Sequence, residues 1–332
     1  MATVETPPTP ARNGLEAEGD RAAEGLGELL RRLREFDPIQ IWAEVTEREI
    51  ADEPFQLDEE FLARLLPLMD VLCRYFAAEV RGFENVPESG PVLLVGNHSG
   101  GILTPDTSAF FTAWYRHFDF DRPLVGLAFD AAFGIPGFRT LMRKIGEVPA
   151  NRENARKALQ EGLPVLVYPG GDHEIFRPWA ARNRIDFGGR KGFVKLALEL
   201  GVPVVPVVSH GGHDSTLVLT RGEELSKTFG LDRIRMGAFP IAWQIPWGIS
   251  PATIPGFPLP AKITARVCAP MQWETYSAAD ARDPEVVERC YDEITTRMQQ
   301  TLDELVLEHP RPILSRMWEL LPFTGDAAPK GD

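Results

Sequence analysis

Apolar residues recur at helical spacing between Leu57 and Val80, where Leu62, Leu65, Leu66, Met69, Leu72, Phe76 and Val80 share one stripe. The pattern predicts an amphipathic helix, interrupted at Pro67. Such a stripe serves equally to face a core or to lie on a membrane. Short helices are expected between Gly25 and Ile50. After the turn residues Asn85–Pro91 the period changes: Val92–Val95 is a short, wholly apolar run bounded by Pro and Gly, the signature of a buried strand. Similar runs follow at Pro123–Ala128, Gly146–Ala150, Pro164–Tyr168, Val202–Val208 and Lys262–Val267. Helical stretches at Glu153–Gln160 and Lys191–Leu200 separate some of them, and a long helix is predicted over Pro284–Leu307. Strands alternating with helices indicate an α/β fold: a central mixed sheet flanked by helices, with a helical N-terminal region. The expected organisation is an acidic, disordered arm over 1–24, the helical region over 25–83, the α/β domain over 84–310 and a tail over 311–332.

Charge sharpens this division. The formal net charge is -13, and residues 1–60 hold 16 acidic and 6 basic residues, so most of the excess sits in the N-terminal part. The remaining basic residues are interspersed with acids and form no phosphate-neutralising stripe, which argues against a nucleic-acid partner. The three cysteines are widely spaced, without a CxxC pair, which fits a reducing, cytoplasmic location. The N-terminus lacks the basic start and apolar run of a secretory signal. Met236–Ala261 is uncharged and long enough to span a bilayer, but its six prolines forbid a continuous helix. Its Trp243, Ile245, Trp247, Ile249, Ile254 and Phe257 make either a lid packed on the protein or a surface suited to the water–lipid boundary.

The strand Val92–Val95 delivers the chain to Gly96-Asn97-His98-Ser99-Gly100-Gly101-Ile102-Leu103-Thr104-Pro105-Asp106. A histidine at a strand end with a carboxylate nearby suits a general base whose tautomer is held by the acid. The alternative is a histidine satisfied in the core and an acid that favours a helix N-terminus. Three further blocks follow: Gly146-Glu147-Val148-Pro149-Ala150-Asn151-Arg152, then Tyr168-Pro169-Gly170-Gly171-Asp172-His173-Glu174, then Val202–Val208 leading to Ser209-His210.

Together, in this order and spacing over about Arg81–Val267, these blocks resemble the glycerolipid acyltransferase superfamily, and more closely its diacylglycerol-acyltransferase-like branch. The resemblance implies His98 as base and Asp106 as its orienting acid, although seven residues separate the pair where four are usual and Leu103 occupies the usual acid position. It implies that Arg152 contacts the acceptor, that Gly170, Gly171 and Glu174 line the substrate site, and that Arg190 and Lys191 bind the phosphates of coenzyme A. It further implies acyl-CoA as co-substrate, a glycerolipid acceptor, no cofactor, and peripheral attachment to the inner face of a membrane. Rival readings are a metal-dependent hydrolase built from His98, Asp106, His173, Glu174, His210, His213 and Asp214, and a non-catalytic lipid-binding protein of the same fold. A serine hydrolase would need a GxSxG elbow, and the chain has none.

Overall fold

The computed structural model describes residues 55, 57–129, 133, 138–228 and 238–320. The acidic arm and the short helices expected before residue 55 lie outside the described residues. Helix α1 (Glu59–Tyr75) begins where the Asp58 carboxylate accepts the Phe61 N–H at 2.9 Å. It ends earlier than its apolar stripe suggested: Ala77 adopts φ 42°, and Val80 lies in an edge strand, β1 (Glu79–Arg81). Then come β2 (Val92–Gly96), α2 (Pro105–Phe118), β3 (Val125–Ala128), α3 (Phe138–Lys144) and β4 (Glu147–Pro149). They are followed by α4 (Arg152–Gln160), β5 (Pro164–Val167), the short α5 (Asp172–Ile175), α6 (Gly192–Leu200) and β6 (Val204–His210). The chain continues through α7 (Gly212–Ser215), β7 (Leu217–Thr220), α8 (Glu223–Thr228), β8 (Ile241–Gln244) and β9 (Gly248–Pro251). It closes with β10 (Thr264–Val267), α9 (Pro284–Glu308) and α10 (Pro312–Leu320).

Seven strands form the central sheet in the order β1-β10-β6-β2-β5-β3-β4. Only the β10–β6 pair is antiparallel, so the sheet is mixed. Strand β2 lies in the middle and is buried on both faces, which is why it reads as an unbroken apolar run. Leu93 and Val95 face Ala155 and Leu159 of α4, Val194 of α6 and Ile294 of α9. Val92 and Leu94 face Leu62 of α1 and Phe110 and Trp114 of α2. Alternate residues of one strand therefore glue two helical layers to the sheet. The stripe on α1 is largely core-facing, although Leu72 and Tyr75 remain exposed near its end.

Two further features depart from expectation. Part of the proline-rich segment forms a second, three-stranded sheet, β7-β8-β9, because prolines at its turns and edges permit short strands while excluding a helix. The expected tail is helical over Pro312–Leu320 and is tied to the body: the Arg316 guanidinium donates to the carbonyls of Arg74 and Tyr75 at 2.6 and 2.7 Å, and Lys262 N–H to that of Pro312.

Candidate active site

The loops that leave the C-terminal ends of β2, β5 and β6 meet at one edge of the sheet, where α/β proteins commonly place their sites. After β2 the chain must reverse within a few residues to enter α2. Gly100 makes the turn at φ 86°, and a Cβ there would lie 2.4 Å from the Pro105 ring. Pro105 opens the helix at its first turn, where its missing N–H costs nothing. The reversal brings Asp106, only 1% exposed, to His98: Oδ2 lies 3.3 Å from Nδ1. The same carboxylate accepts the Ser99 N–H and the Thr107 N–H, each at 2.8 Å, and the Ser99 hydroxyl at 3.3 Å. Asp106 is thus both a first-turn acid and the partner of His98, so the two readings of its role coexist. In the tautomer that donates Nδ1–H to Asp106, the Nε2 lone pair is left able to accept a proton.

The opposite support comes from the loop after β5. The Tyr168 ring stacks on His98 with centroids 4.3 Å apart and planes 16° from parallel. That approach needs Gly96, since a Cβ there would fall 2.4 Å from the tyrosine ring. Glu174 differs in place from a substrate-lining residue. It is 1% exposed, folded back beneath Gly170, where a Cβ would lie 2.1 Å from its Cγ. Its carboxylate accepts the His98 backbone N–H at 3.2 Å and faces the Arg177 guanidinium at 3.4 Å. Glycine at 170 is therefore required for a carboxylate to brace the backbone of the histidine. Gly171, at φ 46°, completes the turn into α5.

The cations named from the sequence lie at the same edge, and each is engaged by the protein. Arg152 and Arg156 both pair with Glu199. Arg190 donates to the Gly170 carbonyl at 2.8 Å and pairs with Asp172 at 2.7 Å, which clamps the turn rather than leaving the guanidinium open. Lys191 pairs with Glu288 and lies over the Tyr291 ring. Tyr168, Ser99, Thr107 and Arg177 were not named as functional; of these only Tyr168 and Ser99, which lie within quoted blocks, carried a sequence signal. Glu147, quoted within the second block, is half-buried, and burial lifts its carboxyl to about 7 against the pull of His98.

Among the described residues no three His, Cys, Asp or Glu side chains converge in metal-holding geometry. His173 pairs with Asp186 at 2.9 Å and His210 bonds the His309 carbonyl at 2.9 Å, so the histidines of the metal reading are dispersed over separate contacts.

Burial pushes the Glu174 carboxyl from 4.5 up to about 8, against the opposing pull of Arg177 and the His98 N–H. A carboxyl held above its unfolded value binds its proton more tightly in the fold, so its contribution to stability is complete below pH 4.5 and is lost as pH rises through about 8. The melting temperature is expected to fall between pH 5 and pH 8.5, and Glu174→Gln, which keeps an acceptor for His98 N–H, to flatten that decline by on the order of 5 °C. Differential scanning fluorimetry across the range measures it; parallel curves for the two proteins would show that Glu174 does not titrate there.

The family model described as Acyltransferase matches residues 77–210. An uncharacterized protein of Mycobacterium tuberculosis is 30% identical over 256 residues, covering 76% of this chain and 69% of that protein. The DGAT1/2-independent enzyme synthesizing storage lipids of Bos taurus is 33% identical over 129 residues, 39% of this chain and 37% of the enzyme. Among solved structures, the 1-acyl-sn-glycerophosphate acyltransferase PlsC of Thermotoga maritima is 18% identical, covers 74% of this chain and 82% of its own, and gives a TM-score of 0.42.

Proposed function

This chain belongs to the glycerolipid acyltransferase superfamily, and we propose that it moves a fatty acyl group from acyl-CoA to a hydroxyl of a glycerolipid, with His98 as general base. The observation that carries the reading is the His98–Asp106 pair, held from below by Tyr168 and through its backbone by Glu174. In this mechanism the acceptor hydroxyl gives its proton to Nε2 while its oxygen bonds to the thioester carbonyl carbon. Asp106 stabilises the imidazolium that forms. The oxyanion is met by the backbone N–H of Gly170, since the Gly171 N–H is held by the Tyr168 carbonyl at 3.1 Å. Collapse breaks the C–S bond, and the coenzyme A thiolate recovers the proton from His98, so no proton is gained or lost. The chemistry requires no cofactor.

A neutral mono- or diacylglycerol is the favoured acceptor and a lysophospholipid the second reading. The pairing of Arg152 with Glu199 supports the first, since a guanidinium already held by a carboxylate is poorly placed to take a phosphate as well. Arg152→Ala is expected to leave transfer to a neutral acceptor within about threefold of the parent; a loss above tenfold confined to lysophosphatidate would establish the phosphate-binding role instead. Release of coenzyme A from palmitoyl-CoA with each acceptor in turn is the measurement. No release with any acceptor would favour the lipid-binding reading.

Such substrates lie in membranes, and no helix among the described residues is long and apolar enough to cross one. Peripheral contact at the inner face of a membrane is proposed through the β8–β9 hairpin and the loop after it. There Trp247 is 56% exposed and Ile249 and Phe257 each 72%, within an uncharged stretch of chain. The Tyr75 hydroxyl donates to the Pro258 carbonyl at 2.7 Å and so joins this loop to the end of α1. Ile249→Glu with Phe257→Glu is expected to abolish cosedimentation with phosphatidylcholine vesicles without lowering turnover of detergent-dispersed substrate.

A further inference from the structure

Four buried polar atoms without a hydrogen-bond partner in the protein, Arg182 Nε, Asn183 Oδ1, His213 Nδ1 and Asp214 Oδ2, belong to residues that line one small cavity. It lies behind the catalytic loop, and Ser99 forms part of its wall. His213 and Asp214 are 6% and 3% exposed, so neither side chain reaches bulk solvent. Unsatisfied buried polar groups are costly, and four around one space call for a shared partner. We propose that this cavity is an internal water site, and that His213 and Asp214 act through it and Ser99 to position the Asp106–His98 pair.

The donor and acceptor count identifies the ligand. Arg182 Nε–H, which stands 3.5 Å from Asp214 Oδ1 as an ion pair outside hydrogen-bond geometry, donates; Asn183 Oδ1 and Asp214 Oδ2 accept. Burial, with Arg177 nearby, holds the His213 imidazole down to about 3, so it is neutral, and its Nδ1 is the fourth group, a second donor in the tautomer that carries the proton there. Two donors and two acceptors complement the two lone pairs and two hydrogens of one water molecule, and the space is about that of one. An anion would face the Asp214 carboxylate, and a cation would face the Arg182 guanidinium.

The link to the catalytic pair runs through Ser99. Its N–H and hydroxyl both donate to Asp106 Oδ2, at 2.8 and 3.3 Å. On its other side Ser99 is pressed against α7: a Cβ on Gly212 would come within 2.1 Å of its hydroxyl oxygen. The turn that bears His213 and Asp214 is itself fixed, because Trp179 Nε1–H donates to Asp214 Oδ1 at 3.0 Å and the Asn97 side chain exchanges two hydrogen bonds with the Ser209 backbone. The Ser209-His210-Gly211-Gly212-His213-Asp214 run thereby acquires a role that needs no metal ligation: it is the rear wall of the loop that carries the base. His213 and Asp214 are positioning residues, since they act through Ser99 and Asp106. The positioning part rests on the reading of His98 as base; the water site does not.

High-resolution crystal structures of the full chain and of His213→Leu and His213→Asn, together with their kinetics, test both parts. Asparagine can place an amide N–H where the imidazole has Nδ1–H; leucine cannot. The wild type and His213→Asn are expected to show one water within hydrogen-bond distance of the four atoms. His213→Leu is expected to lose it, to widen the His98–Asp106 contact, and to lower kcat by about tenfold with KM nearly unchanged. A dry cavity or an ion in the wild type overturns the water site, whatever the activity. An unmoved His98–Asp106 contact in His213→Leu, or a kcat defect that His213→Asn does not repair, overturns the positioning role. Failure of the wild type to transfer acyl groups at all would instead count against the proposed reaction while the crystallographic comparison still decides this inference.

Discussion

His98→Ala is expected to lower acyl transfer by about 10²- to 10⁴-fold while the protein remains folded. An alcohol at neutral pH is a weak nucleophile toward a thioester, and nothing else in the loop that follows β2 offers an unprotonated base in the same place. Asp106 is turned inward and saturated with donors. Glu174 is buried beneath Gly170 and spent on the His98 backbone and Arg177. Glu147 comes from β4, its side chain lying over Gly126 of β3, and interacts with His98 without belonging to this loop. The mutation removes a ring that is 15% exposed and stacked on Tyr168, so the stability lost is that of one partly buried contact, on the order of 1 kcal/mol. Turnover is followed by acceptor-dependent release of coenzyme A and folding by circular dichroism. A folded His98→Ala protein that turns over like the parent removes His98 from the mechanism.

The parts legible in the sequence are those decided by neighbours in the chain. Val92–Val95 reads as a buried strand because both its faces are covered, and the apolar run shows this without knowing what covers it. His98 and Asp106 are visible because one loop carries both, even at a separation longer than the family's usual one. Gly100 and Pro105 explain the difference: the extra residues form a tight reversal that returns Asp106 to the imidazole.

What could not be read depends on chain segments that meet only in the folded sheet. Glu174 braces the His98 backbone across 76 residues of sequence because β2 and β5 are neighbours, and Gly170 leaves room for the carboxylate to turn inward. From sequence the glycine suggests a ligand, and the structure fills its space with the protein's own side chain. Arg152, Arg190 and Lys191 look like open anion sites for the same reason. Their partners Glu199, Asp172 and Glu288 are recognisable only once α4, α5, α6 and α9 are placed around the sheet edge. The β7-β8-β9 sheet was hidden by its prolines, which argue against helix without arguing for strand.

Asp106→Asn is the substitution that best separates an orienting carboxylate from a merely nearby one. The carboxylate receives donors on both oxygens: Thr107 N–H on Oδ1, and Ser99 N–H with the imidazole on Oδ2. An amide satisfies only one side. If its oxygen faces Ser99 and His98, its NH₂ meets the Thr107 N–H. If it turns around, its NH₂ faces the Ser99 N–H and favours the imidazole tautomer that accepts at Nδ1, which puts the proton on Nε2 and leaves no lone pair for the substrate. Either orientation buries a donor against a donor, at a cost of about 1–3 kcal/mol. The expected result is a kcat lower by about 10²- to 10⁴-fold, KM within about threefold, and a lower melting temperature. Asp106→Glu should not restore the rate, because Pro105 and Thr107 hold the backbone too close to His98 for a longer side chain to fit the same donors. A kcat retained within about threefold in Asp106→Asn would mean that His98 holds its working tautomer unaided. Asp106 would then be only the first-turn acid of α2.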